Sequence, residues 1–377
     1  MKQIAQQLGN GDIFLLDLPT PKVQTGHLLI QSSLSLLSSG TERMLLEFGK
    51  SNIIGKIKSQ PEKVQEVIDK INTDGFFPTF KAVNNKLNSL TQTGYSNVGR
   101  VIEVGKGVNG FKVGDRVVSN GPHAEIVSVP QNLCALIPDN VSDAEASFTV
   151  VSAVGLQAVR LSNPTFSETY LVIGLGLIGL LTSQILKANG CQVLAYDLDY
   201  KKCEIAKKLG IKSYFLKDPF DIVSICEKYT AGHGIDGVII TASTILSSPI
   251  EIAAKVSRRK GRIILVGVTG LDINRDWFYK KELSFQVSCS YGPDRYDKNY
   301  QISKKEYPKG LVRWTTKRNF ESILHSIAEG QIRTDLLKTH EYLFEDSIKA
   351  FEKLQNDKSA VGILLKYKKD IEVDKKT

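Results

Sequence analysis

The sequence predicts an α/β protein whose central part is a parallel sheet covered by helices on both faces. Three observations carry this. From about Ala146 onward, apolar strand-like runs alternate with helix-like runs. Glycines, Gly190 and Gly210, stop the first two of those helices. The glycine turn Gly174-Leu175-Gly176-Leu177-Ile178-Gly179 joins the first strand to the first helix. Alternation of this kind needs crossover connections, and these place helices on both sides of a parallel sheet.

In order, the spacing predicts a strand over Thr169 to Ile173, a helix over Ile178 to Asn189, a strand over Gln192 to Tyr196 and a helix over Tyr200 to Leu209. Further strands are expected at Gly237 to Thr241 and Gly261 to Val266, with a helix through Glu251 to Val256 between them. The part before Ser147 reads as short strands separated by Gly, Pro and Asn, including Leu28 to Ile30, Val98 to Val104 and Arg116 to Val118. One helix is expected there, from Gln60 to Ile71, because Val64, Val67, Ile68 and Ile71 share a face. After Cys289 the chain turns aromatic and basic, then shows amphipathic helices at Asn319 to Ala328 and Phe344 to Leu354. The residues from Lys366 read as a charged, solvated tail. The resulting division is 1–146, 147–288, 289–366 and a tail 367–377.

The chain has 377 residues, enough for two domains with cores, and a net charge of +9 spread along its length. No recognition motif or regular basic–aromatic interleaving points to nucleic acid. The five cysteines, Cys134, Cys191, Cys203, Cys226 and Cys289, form no CxxC pair, which argues against a disulfide framework or cysteine zinc site and for a reducing cytoplasm. Met1 to Pro19 lacks the order of a signal peptide. The apolar run Thr169 to Leu186 has nearly the length of a membrane span, but its glycines and strand-turn-helix context favour a buried soluble element.

A GxGxxG is informative when it follows a strand and opens a helix, as here. Gly174 allows the tight turn, Gly176 lets the backbone approach a pyrophosphate, and Gly179 allows close helix–strand packing. The diphosphate then meets free N–H groups of residues around Leu177 and Ile178 at the positive end of the helix. Asp197 stands at the end of the second strand, where an acid binds the adenosine ribose hydroxyls and repels the extra phosphate of NADP, so NAD is the expected cofactor. The plainer readings are a structural glycine bend and, for Asp197, a helix cap. Lys201 and Lys202 are expected to face solvent.

Several segments together resemble the medium-chain dehydrogenase/reductase superfamily, the alcohol-dehydrogenase-like enzymes. Ser39-Gly40-Thr41-Glu42 resembles its Cys-Gly-Thr-Asp/Glu element, and Gly94-Tyr95-Ser96 its Gly-His-Glu zinc motif. Val104-Gly105 through Gly114-Asp115-Arg116-Val117 matches its glycine-rich run. Gly174 to Gly179 and Gly261 to Gly267, with Val266 and Gly267 at its end, match the cofactor domain. The resemblance spans about residues 28 to 365. It implies a GroES-like β-rich catalytic domain, built from both ends of the chain, around a Rossmann domain. The insert Pro61 to Leu90 and the run Ser290 to Thr315 resemble the dehydrogenase halves of bi-domain oxidoreductases linked with bacterial surface-polysaccharide synthesis. In that subgroup a Gfo/Idh/MocA-type oxidoreductase follows. The resemblance therefore implies that this half is absent here or is a separate partner protein, and it also implies a homodimer.

The departures from the family pattern fall on its zinc ligands. Ser39 replaces the cysteine, Tyr95 the histidine and Ser96 the acid, while Ala146 to Gly155 holds no Cys or His. Neutral hydroxyls bind zinc poorly beside thiolate and imidazole, so no catalytic or structural metal is expected. Proton movement then falls to hydrogen-bonding groups. Tyr95 takes the ligand position facing the nicotinamide, with simple packing as its alternative. A phenol acting near neutral pH needs a nearby cation, for which Lys56, Arg295 and Arg313 are candidates. Thr41 is a candidate proton relay. Glu42 orients neighbours or is a structural acid paired with Arg43 or Arg116. His123 is expected to be structural.

The basic, aromatic stretch from Asp294 to Arg318, with Tyr291 just before it, suits a phosphorylated or nucleotide-linked sugar, or is a solvated surface loop. The expected function is a zinc-independent, NAD(H)-dependent oxidation or reduction of a sugar hydroxyl or carbonyl. An NAD-retaining epimerase or eliminase and a non-catalytic NAD-binding partner of another oxidoreductase stay open.

Overall fold

The first and last parts of the described chain form one mainly antiparallel lobe, and the middle forms a second, parallel one. The computed structural model describes residues 1–7, 9–50, 89–292, 297, 299–300 and 306–368. The expected helix from Gln60 to Ile71 lies outside them.

The first lobe begins with β1 (Lys2–Gln7), β2 (Ile13–Asp17) and β3 (His27–Ser38), then helix α1 (Thr41–Lys50). It continues with β4 (Leu90–Gln92), β5 (Asn97–Val104), β6 (Arg116–Ser119), β7 (Ile126–Pro130) and β8 (Cys134–Leu136). The short α2 (Asp143–Ala146) starts with a capping box: Ser142 accepts from the Glu145 backbone while the Glu145 carboxylate accepts from the Ser142 backbone. Helix α3 (Thr149–Ser162) leads into the second lobe.

That lobe holds β9 (Thr169–Ile173), α4 (Leu177–Ala188), β10 (Gln192–Asp197), α5 (Tyr200–Lys208), β11 (Lys212–Phe215), α6 (Asp221–Tyr229), β12 (Ile235–Ile240), α7 (Ser248–Val256), β13 (Ser257–Leu265), α8 (Arg275–Lys281) and β14 (Ser284–Val287). Its six strands are ordered β11-β10-β9-β12-β13-β14, and every neighbouring pair is parallel. Strand order reverses beside β9, which opens a crevice at that strand's C-terminal end. The chain then returns through α9 (Thr316–Ala328), β15 (Lys338–Leu343), α10 (Ser347–Asn356) and β16 (Gly362–Lys366). Strand β16 pairs antiparallel with β3, Leu364 opposite Leu36, so the last described strand completes the first sheet.

Most expected elements are present, with shifted ends. Helix α7 begins before Glu251 because Pro249 suits a first helical turn. Helix α9 begins before Asn319 because the Thr315 hydroxyl caps it, accepting from the Arg318 backbone at 3.4 Å. Helices α1 and α3 go beyond the sequence expectation.

One buried apolar cluster runs from Leu171's neighbours Tyr170 and Val172 through α3 and α4 to Leu36, Val98 and Val118 of the first sheet, and on to Phe320 and Leu324 of α9. A second covers the other face of the parallel sheet through Leu171, Ile173, Ile240 and Ile252. The shared cluster joins the two lobes by apolar burial.

Candidate nucleotide and catalytic site

The glycine turn leaves β9 at its C-terminal end. Gly174 has φ of +95°, and a Cβ there would approach the Ala242 backbone nitrogen to 2.8 Å. A Cβ on Gly179 would lie 2.0 Å from the Gly174 carbonyl oxygen, so α4 can approach β9 only without a side chain there. Gly176 is different: its Cβ direction meets nothing within 4 Å. It also sits as the N-cap of α4 without a side-chain cap, leaving the first helical N–H groups for a ligand. The cradle fits a dinucleotide pyrophosphate.

Asp197 closes this arrangement. Its Oδ2 accepts from the Leu175 backbone at 2.6 Å and its Oδ1 from the Asp199 backbone at 2.9 Å. The half-buried carboxylate is therefore fixed at the lip of the turn, and the N-cap of α5 is Asp199, not Asp197. Thr241, which the sequence reading missed, donates its hydroxyl to the Gly174 carbonyl at 2.7 Å and locks the turn to β12. Its only signal was a hydroxyl at a strand end. The Val266 and Gly267 backbones both donate to Ile240, at 2.8 and 3.0 Å, which lays them beside the same switch point. Leu177 and Ile178 contribute main chain: the Leu177 side chain is buried and Ile178 packs on the core. Lys201 is exposed and Lys202 half-buried.

The other side of the crevice carries Ser39 and α1. Ser39 is half-buried at the end of β3, and Thr41 begins α1. Glu42 is fully buried, but not with the expected partners. Arg43 donates to the carbonyls of Leu354 and Asp357, and Arg116 pairs with Asp143 at 2.6 Å. Successive helical residues point about 100° apart, so Glu42 turns inward where Arg43 turns to α10. The Glu42 Oε2 accepts from the Ser38 backbone, and its Oε1 lies 2.7 Å from His123 Nε2. His123 Nδ1 is 2.7 Å from Ser35 Oγ, which is 2.8 Å from the Tyr367 hydroxyl. One direction satisfies all four: Tyr367 donates to Ser35, Ser35 to His123, and His123 to Glu42.

His123 also supports the segment carrying Tyr95. Its backbone N–H donates to the Thr93 carbonyl at 2.8 Å. Gly94, at φ +89°, lies so close that a Cβ would come within 2.6 Å of the imidazole. Tyr95 is partly buried against the shared core, and its carbonyl accepts from Asn120 Nδ2 at 2.8 Å. Asn120 Oδ1 in turn accepts from the Tyr291 hydroxyl at 2.9 Å. Tyr291, expected at the substrate, is only 3% exposed, and its hydroxyl braces the Tyr95 segment. Arg313 lies over the Trp314 ring. Lys56 and Arg295 lie outside the described residues.

Among the described residues no three His, Cys, Asp or Glu side chains gather to hold a metal. Ser96 commits its hydroxyl to the Ser147 carbonyl at 2.6 Å, and Glu42 is occupied by His123 and Ser38. Hydroxyls at Ser39, Tyr95 and Ser96 do not fit the thiolate, imidazole and carboxylate ligands zinc takes.

A family model described as zinc-binding dehydrogenase matches residues 178–305. The fold is shared with alcohol-dehydrogenase-like proteins, and these likenesses make the chain an oxidoreductase. It is similar to (R,R)-butanediol dehydrogenase of Bacillus subtilis, 27% identical over 72% of this chain and 80% of that one. Sorbitol dehydrogenase of Halalkalibacterium halodurans is 25% identical over 72% and 82%. The solved structure of 2R,3R-butanediol dehydrogenase from Bacillus subtilis superposes with a TM-score of 0.73 at 22% identity, covering 97% of this chain and 99% of that one. Two further neighbours carry nicotinamide cofactors. A short chain alcohol dehydrogenase from Escherichia coli CFT073 holds NADH (TM-score 0.71, 18% identity, 97% and 99% covered). A Sinorhizobium meliloti 1021 protein holds NADP (TM-score 0.71, 17% identity, 97% and 98% covered).

Proposed function

We propose that the chain is a zinc-independent, NAD(H)-dependent oxidoreductase acting on a hydroxyl or carbonyl of a sugar or sugar-nucleotide, in surface-polysaccharide precursor metabolism. One observation carries the cofactor choice: the Asp197 carboxylate, fixed by the Leu175 and Asp199 backbones, stands at the opening beside Gly176. Free ribose hydroxyls can donate to it, whereas a 2′-phosphate would meet a fixed negative charge. Gly174, Gly176, Gly179 and the N-terminus of α4 would hold the pyrophosphate, with residues 266–267 beside it. Bound NAD supplies a hydride acceptor, and in the reverse direction NADH a donor. The lobe of residues 147–288 is the cofactor lobe in this reading.

At the substrate, the Tyr95 hydroxyl is the group that holds or passes the proton of the reacting oxygen, and Ser39 is a second donor. Thr41 relays that proton outward. Asn120 and His123 hold the Tyr95 segment from two sides, so its hydroxyl is presented from a fixed backbone. The substrate class follows the likeness of the insert and of residues 290–315 to the polysaccharide-linked subgroup. A second copy of the chain and a separate Gfo/Idh/MocA-type oxidoreductase are the proposed partners, and the cytoplasm the proposed compartment. The committed Ser96 hydroxyl and the replaced ligands favour a second reading, a cofactor-binding partner without turnover.

The test combines NADH and NADPH fluorescence titrations, metal analysis of the purified chain, and turnover on polyols and nucleotide sugars with and without chelator. Tighter NADH than NADPH binding, chelator-resistant turnover and no bound zinc are expected. Stoichiometric zinc or a preference for NADPH overturns the proposal. NADH binding without turnover on any of these substrates selects the second reading.

A further inference from the structure

Two arginines gather on one tryptophan just before α9. Arg160 and Arg313 both lie against the Trp314 ring, their guanidinium carbons 3.2 and 3.8 Å from its centroid. Two guanidinium groups that close to one centroid would overlap on a shared face, so they clasp the indole from both sides. Arg160, at the end of α3, donates from Nε to Asn319 Oδ1 at 2.9 Å and from Nη2 to Ser322 Oγ at 3.3 Å. Arg313 is exposed, and its guanidinium makes no hydrogen bond or ion pair among the described residues.

Among the described residues, neither cation is paired with a carboxylate. The nearby Glu306 goes to Arg318, at 4.0 Å, and Lys317 lies over the Phe111 ring at 4.8 Å, adding further positive charge. Burial, with Arg313 second, pushes the Arg160 guanidinium down to about 10. Packing alone does not require this. One aliphatic stem covers an indole face as well, whereas two cations on one ring repel each other. The cluster is also held in place, because Asn319 Nδ2 donates to the Tyr291 carbonyl at 2.8 Å. Through Tyr291 and Asn120 it belongs to the same hydrogen-bonded strap as Tyr95.

The Arg313 guanidinium fork, without a hydrogen bond or ion pair among the described residues, is a donor set for phosphoryl oxygens, and Arg160 across the ring adds positive charge. We propose that Arg160, Trp314 and Arg313 form a binding site for a phosphoryl group. Only the identity of the carrier rests on the function proposed above: a sugar phosphate if that reading is right, free phosphate otherwise.

The chain has two tryptophans, so Trp277→Phe leaves Trp314 as the sole reporter. This protein is titrated with inorganic phosphate, glucose 1-phosphate and glucose, at ionic strength held constant with chloride. The result expected is a saturable change in Trp314 emission with both phosphate-bearing ligands and none with glucose. Arg313→Gln, at an exposed position, should weaken the binding about tenfold or more without lowering the melting temperature. Tighter glucose 1-phosphate identifies the carrier as a sugar, and equal affinity identifies free phosphate; both support the site. Calorimetry on the unsubstituted chain keeps the outcome independent of Trp277→Phe. No saturable response, or a response untouched by Arg313→Gln, overturns the proposal. NADH binding, read from the cofactor's own emission in the same protein, shows separately whether the oxidoreductase reading stands.

Discussion

His123 Nε2 lies 2.7 Å from Glu42 Oε1, with both side chains shut away from solvent. The pair joins the two segments that carry the candidate catalytic groups. Glu42 holds the Ser38 backbone next to Ser39, and His123 underlies Gly94 next to Tyr95.

Because the pair is buried, removing one member leaves the other without its partner. His123→Ala and Glu42→Ala should each destabilise the fold by about 2–4 kcal/mol in denaturant unfolding. The double variant should lose less than the sum of the two, since they share one interaction. Strict additivity would show that the pair is not coupled.

Gly176 and Gly179 should respond oppositely to the same methyl group. Gly179→Ala drives a Cβ to 2.0 Å from the Gly174 carbonyl, and the apo protein should melt at markedly lower temperature. Gly176→Ala meets nothing within 4 Å, so apo stability should change by less than about 1 kcal/mol while NADH affinity falls at least about tenfold. Equal effects on stability would contradict the assigned cradle.

Asp197→Asn keeps an acceptor for one backbone N–H but removes the charge. NADH affinity should weaken, and the NADH-to-NADPH affinity ratio should fall by about tenfold or more in fluorescence titrations. An unchanged ratio would separate Asp197 from cofactor choice.

Buried thiols and phenols give the fold an alkaline limit. Burial pushes the Cys203 thiol up to about 11, the Cys226 thiol to about 12 and the Tyr170 phenol to about 12. In the unfolded chain these groups ionise near ~8.5 for thiols and ~10 for phenols. The native state therefore binds more protons above ~8.5, so the stability present below that value is lost as pH rises toward 11–12. Melting temperature should fall across that window, and Cys226→Ala should make the fall shallower. At neutral pH a thiol reagent should label exposed Cys289 and spare the four buried cysteines.

The nucleotide lobe was largely legible in the sequence, for local reasons. Strand and helix periods, the stops at Gly190 and Gly210, and the spacing of Gly174, Gly176 and Gly179 are all set by residues close in the chain. The missed helices show the limit. Helix α3 is apolar almost all round because it is buried between the lobes, so it lacks the polar face that marks a surface helix.

The sequence by itself determined the parallel sheet and the glycine turn, because residue type and short spacing carry that information. Tertiary structure alone decided partners. Glu42 and His123 are 81 residues apart, Tyr291 and Asn120 171, and Arg160 and Asn319 159. No local pattern encodes such pairs; they exist because a shared apolar core brings distant strands and helices to one crevice, where buried polar groups must find hydrogen-bond partners.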